Sequence, residues 1–142
     1  MNNFLTDTQL ASLVEAIQTA EDFSTGEIRI HIDSNTEIDN AEKAVEVFKN
    51  LCYNKTANRN AILIHVNFEQ KYLTIIGDEG IHNHVHQSFW DQLHDETTSL
   101  FAKKQFFEGL QQAVLKTGTE LKKYFPISGE NPNEISNEIT FS

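Results

Sequence analysis

Apolar positions along the chain switch between helical and strand spacing, and the switches mark out its elements. Over residues 6–22, Leu10, Leu13, Val14 and Ile17 recur at helical spacing, with Glu15 and Gln18 between them. Thr6 stands where an N-cap is expected, and Gln9, three residues on, completes a capping box. Ser24-Thr25-Gly26 interrupts the pattern. Residues 27–33 alternate, with Ile28, Ile30 and Ile32 on one face and Glu27, Arg29, His31 and Asp33 on the other, which predicts a strand with one buried face. A polar loop over 34–40 leads to a second helix over 41–53, with Ala44, Val45, Val47, Phe48 and Leu51 as its inner side. After an amide-rich, basic loop, residues 61–67 are nearly all apolar, as a central strand buried on both faces requires.

Phe68-Glu69-Gln70 is short enough for a hairpin, so residues 71–76 should return as an antiparallel strand, ended by Gly77-Asp78-Glu79-Gly80. From Ile81 the pattern is helical again, through Val85, Phe89, Trp90 and Leu93. It then continues over 100–125 as one long helix or two, stopped by Pro126. The order helix, strand, helix, strand, strand, helices predicts an α/β fold: a mixed β-sheet flanked by helices. The first two strands are parallel through a right-handed crossover, and the third is antiparallel. At 142 residues this is a single domain over 1–127. A polar segment follows over 128–142, loose by composition or packed on the domain.

Charge narrows the partners. With 11 Lys and Arg against 21 Asp and Glu, the net charge is −10, which argues against nucleic acid or an anionic membrane surface and favours a divalent cation. The acidity serves solubility as well. Cys52 is the only cysteine, so no intrachain disulfide can form; its neighbours suggest a half-buried helical thiol. Residues 1–11 carry neither a basic nor an apolar leader region, and no apolar run approaches the roughly 20 residues of a membrane helix. A cytoplasmic location without membrane insertion is therefore expected.

The predicted topology brings three loops to one edge of the sheet: Thr25-Gly26-Glu27, Asn58-Arg59-Asn60 and Gly77-Asp78-Glu79-Gly80. Glu27, Asp78 and Glu79, with Asn60 and Asn58 as neutral oxygen donors, offer the ligand type a hard cation wants. The two glycines allow positive φ and close backbone approach. The competing reading is a plain turn, with Asp78 as the N-cap of the next helix. The segment 33–39, with Asp33 and Asp39 at its ends, alternates oxygen-bearing residues like half an EF-hand loop. But Ile38 stands at the glycine position and Ala44 at the bidentate Glu position. His82 and His86 are four apart, and Trp90 and His94 continue the ladder, a weak zinc pattern without a HExxH motif. His31 and His65 are expected as neighbours across adjacent strands, and as buried hydrogen-bonded residues. No phosphate-cradling glycine loop or nucleophile elbow occurs. Phosphatase chemistry would need a metal at the acidic edge, with Arg59 clamping the phosphate.

Several stretches together resemble the TPM-domain family in its short bacterial form, related to thylakoid lumen proteins. They are Ala16-Ile17, Ala20-Glu21, Ser24-Thr25-Gly26-Glu27-Ile28, Lys55-Thr56 through Arg59-Asn60 into Ala61-Ile62-Leu63-Ile64, and Gly77-Asp78-Glu79-Gly80-Ile81. Phe89-Trp90, Phe107-Glu108-Gly109-Leu110, Tyr124-Phe125-Pro126 and Asn131-Pro132-Asn133-Glu134-Ile135 extend the likeness over almost the whole chain. The resemblance implies an α/β sandwich, divalent-cation binding in some members and acid phosphatase activity in a plant relative. The chain departs from longer members in lacking an export signal, a membrane anchor and their acidic N-terminal entry motif, and in carrying Ala61 where Gly often follows the Asn. The expectation is a divalent-cation-binding module, with Ca²⁺ first and Mg²⁺ or Zn²⁺ as alternatives, held by Glu27, Asp78, Glu79 and Asn60. It would act in interaction or protein quality control with a protein partner. The alternatives are a metal-assisted phosphatase on the same edge and a metal-independent interaction domain.

Overall fold

A computed structural model describes residues 4–34, 39–127 and 137–142. Four helices and four strands alternate as α1 (Asp7–Asp22), β1 (Glu27–Asp33), α2 (Asn40–Leu51), β2 (Ala61–Asn67), β3 (Tyr72–Gly77), α3 (Glu79–Ala102), α4 (Phe106–Tyr124) and β4 (Thr140–Phe141). The sheet order is β3-β2-β1-β4. β1 and β2 run parallel, with Ile28 beside Ile62 and His31 beside His65. β3 returns antiparallel. These are the pairings the element order predicts.

α1 begins as its sequence demands. The Thr6 side chain accepts from the Gln9 amide at 3.1 Å and the Gln9 side chain accepts from the Thr6 amide at 3.0 Å, a reciprocal cap of the kind whose loss costs about 1 kcal/mol. α1 and α4 pack on the face built from Ile28, Ile30, Ile32, Ile62, Ile64 and Val66, with Leu13, Ile17, Leu110, Val114 and Leu121 from the helices. Fully burying an aliphatic side chain of this kind stabilises by roughly 1.5–3 kcal/mol, so this layer is the main core.

The opposite face is covered by α2 through Val47 and Phe48 against Ala61, Leu63 and Cys52. All seven residues of β1 are buried, so the alternation of β1 does not mark one wet face. Arg29, His31 and Asp33 are buried, as are His65 and Asn67 of β2 on the same face. α2 starts at Asn40 with Asp39 as its cap, whose side chain accepts from the Ala41 and Glu42 amides. Val45, expected on the inner side, is exposed, and Cys52 is fully buried instead of half-buried.

The hairpin also includes Lys71, which has φ 55° and belongs to the turn, so β3 starts at Tyr72. Residues 100–125 resolve into two helices, α3 ending at Ala102 and α4 starting at Phe106. α3 is itself broken at His86, where φ is 64° and ψ 173°. Residues 35–38, the middle of the EF-hand-like segment, and residues 128–136 lie outside the described residues. The far end of the polar segment forms β4 on the edge of β1, held by Ser142 N to Ile32 O at 2.9 Å and Ser34 N to Ser142 O at 3.0 Å. That strand has no sequence signature of its own: two residues are too short for a period.

Candidate functional site

The three loops expected at one edge do meet there. The Asp78 amide donates to Ala61 O at 2.9 Å, the Gly80 amide to Arg59 O at 2.7 Å, and the Glu27 amide to Asn60 O at 3.4 Å. Asn58 and Asn60 each donate a side-chain amide to Thr25 Oγ1 at 3.2 Å, which ties the first loop to the second. The glycines serve close approach, not positive φ. A Cβ on Gly80 would lie 2.1 Å from Asn58 O, and one on Gly77 would lie 2.2 Å from Trp90 Cζ2. Positive φ falls on Arg59 instead, at 52°.

The acids at this edge are not equivalent. Asp78 is the N-cap of α3, accepting from the Glu79 amide at 2.8 Å. It is also gripped by Arg59: Nε lies 3.0 Å from both carboxylate oxygens and Nη2 lies 2.8 Å from Oδ1. The hydrogen bonds that Arg59 donates to Asp78 raise the Arg59 pKa further above its ordinary value. Arg59 stacks over the Tyr53 ring at 4.8 Å, and its Nη1 reaches exposed Glu79 at 3.7 Å. Arg59 is therefore engaged by the carboxylates it was expected to sit beside, and is not an open phosphate clamp.

Glu27 is buried and hydrogen-bonds to Glu21, a residue that loop reasoning did not single out. Glu21 lies in the last turn of α1, buried, and accepts from the Ile28 amide at 2.9 Å. Desolvation first, then the hydrogen bond and negative charge of Glu27, push its pKa up to about 9. The signal was present: Glu21 is four residues beyond inner-facing Ile17. Asn60 is fully buried, and its side-chain oxygen has no hydrogen-bond partner.

The histidine ladder does not form. The break at His86 separates it from His82, whose Nδ1 accepts from Trp90 Nε1 at 3.0 Å. His94 turns its Nε2 to Leu73 O at 3.1 Å, and His84 stacks on Tyr124. Cys52 is no activated nucleophile, because burial pushes its thiol up to about 12. His31 and His65 are neighbours, as expected, with rings stacked at 5.6 Å. Burial holds both below the ordinary imidazole value, His31 at about 4, so both are neutral at pH 7. No helix among the described residues is long and apolar enough to cross a membrane.

The chain as a whole is similar to known proteins. The model of the TPM domain matches residues 1–120. The solution structure of BA42, from the psychrophilic bacterium Bizionia argentinensis, is similar over 100% of this chain and 98% of its own, with 36% identity and a TM-score of 0.91. The N-terminal domain of a protein from P. gingivalis shares the fold at 14% identity and a TM-score of 0.71, over 90% of this chain and 84% of its own. No curated protein matches. A family match over most of the chain, and a relative sharing more than a third of its residues from end to end, show that this chain belongs to the TPM-domain family.

Proposed function

We propose that this TPM domain binds a divalent cation, Ca²⁺ first, at the edge where β1 and β2 begin and β3 ends. Glu27, Asn60, Asp78 and Glu79 supply the oxygens. The observation that carries the reading is the side-chain oxygen of Asn60: fully buried, without a hydrogen-bond partner, and in the loop that hydrogen-bonds to the loops carrying Glu27 and Asp78. A buried polar atom left unpaired costs about 1–3 kcal/mol. A hard cation turns it into a ligand. Arg59 occupies Asp78 as an internal cation, so an entering ion must displace its guanidinium. The bound ion would present an otherwise acidic edge to a protein partner, which suits an interaction or quality-control module.

Metal-free protein should be titrated with Ca²⁺ and Mg²⁺ while backbone amides and the Arg59 Nε–H are followed by NMR. The expected result is saturable shifts at Gly26, Glu27, Asn60 and 78–80, with Arg59 Nε–H moving in step. The Arg59→Gln variant should bind several-fold tighter, because its competitor is gone. Absence of saturable shifts at these residues, or unchanged affinity in Arg59→Gln, would overturn the assignment.

A further inference from the structure

At the other end of β1 lies a second group of metal-ligating side chains. His31, Asp33 and His65 each present one ligand atom, all within 4.8 Å of one another. We propose that these three residues form a buried site for a borderline transition-metal ion such as Zn²⁺, covered by the C-terminal strand β4.

The chemistry of the donors separates this site from the acidic edge. Two imidazoles and one carboxylate suit zinc, whereas Ca²⁺ and Mg²⁺ prefer all-oxygen shells. Ligand atoms on a tetrahedral Zn²⁺ lie about 3.3 Å apart, given metal–ligand bonds of about 2.0–2.1 Å. His65 Nε2 and Asp33 Oδ2 are already at 3.2 Å. His31 lies on the same face of the sheet, paired with His65 in register, and its ligand atom needs to close by at most about 1.5 Å.

Two orphan atoms point the same way. His65 Nδ1 is buried without a hydrogen-bond partner, and so is Thr74 Oγ1. The register sets His65 directly opposite Thr74 on β3, a pairing that puts both side chains on one face about 5 Å apart at Cβ. While Nε2–H donates to Asp33, Nδ1 is a bare lone pair with nothing to accept. A metal on Nε2 moves the ring proton to Nδ1, and Thr74 Oγ1 becomes its acceptor. Ligating histidines usually anchor their second nitrogen in this way.

His31 has the same provision on the other side. Its Nδ1 is 2.7 Å from Thr140 Oγ1 and its Nε2 is 2.7 Å from Ser142 Oγ. One nitrogen can turn to the metal while the other keeps its hydroxyl. The displaced hydroxyl, or a water, completes four-fold coordination. Because β4 has only two residues, it is a short cover whose opening gives an ion a way in.

The test uses the full chain. Zn²⁺ is added to metal-free protein while imidazole ring nitrogens are followed by ¹⁵N NMR, and Co²⁺ is added separately as a visible-spectrum probe. The expected result is 1:1 binding that moves the ring nitrogens of His31 and His65 but not those of His82, His84 or His86. Co²⁺ should give the intense bands of a tetrahedral site. Both His65→Gln and Asp33→Asn should weaken binding at least about 100-fold, and His94→Gln should leave it unchanged. Movement confined to the other histidines, a weak octahedral Co²⁺ spectrum, or unmoved His31 and His65 rings at saturating Zn²⁺ would overturn the proposal. The ring-nitrogen spectra decide the matter on the unmodified protein even if a buried variant fails to fold.

Discussion

The two ends of β1 solve the same problem in opposite ways. At the start, Asp78 is itself buried, but its partner Arg59, which closes around it, is a third exposed. At the end, Asp33 and His65 are fully buried and face each other inside the domain. Partly exposed pairs gain little, because water screens them and long side chains lose freedom. Buried polar pairs are held by the cost of leaving either member alone. The edge pair is therefore the easier of the two to open, and the interior pair the more costly to separate.

The sharpest way to break this contrast is at the edge's backbone. A methyl group on Gly80 would meet Asn58 O at 2.1 Å and Arg59 O at 2.5 Å, both main-chain atoms that cannot rotate away. Gly80→Ala should destabilise by about 3 kcal/mol through overpacking, read as a lower denaturant midpoint with an unchanged slope. Next in size is the interior. Asp33→Ala leaves His65 Nε2–H buried without its acceptor and should cost about 2–3 kcal/mol. Asp78→Ala removes a helix cap and a partly exposed ion pair, for about 1–2 kcal/mol. If Asp78→Ala cost more than Asp33→Ala, the edge would be the structural group and the contrast would reverse.

What the sequence made legible follows from this difference. Strands β1 and β2 were readable to the residue because Ile28, Ile30 and Ile32 alternate with polar residues and the run from Ala61 to Asn67 is nearly all apolar. The convergence of the three edge loops followed from topology alone. The partnerships within the edge did not: nothing in the spacing of Arg59 and Asp78 says that one grips the other. The interior group stayed hidden for a different reason. Arg29, His31 and Asp33 look like a wet face by alternation, yet all three are buried in the fold, His31 against Thr140 and Ser142 at the far end of the chain. The ladder of His82, His86 and His94 failed because one residue, His86, leaves the helical region, a break that a period of four cannot reveal.

Glu21 links the edge to pH. Its folded pKa is raised from 4.5 to about 9, so the folded state holds a proton that the unfolded chain releases. The stability tied to that proton is fully present below about pH 4.5 and is lost as pH rises toward 9. Glu21→Gln keeps an acceptor for the Ile28 amide but cannot titrate. Melts of both proteins between pH 5 and 9 should show the variant gaining on the parent as pH rises. Parallel curves would mean that Glu21 is ionised in the folded state.

The smallest expected effect on stability is also the cleanest probe of the edge. Glu79 is two-thirds exposed, and its contact with Arg59 is long, at 3.7 Å. Glu79→Gln should change stability by less than about 0.5 kcal/mol, within the range of exposed pairs. It still removes one of the acids offered to a cation, so Ca²⁺ affinity should fall while the melting temperature stays put. Asp78→Ala cannot separate these quantities, because Asp78 also caps α3 and holds Arg59. A Glu79→Gln protein with full stability and undiminished Ca²⁺ affinity would remove Glu79 from the ligand set and leave Glu27, Asn60 and Asp78 to account for binding.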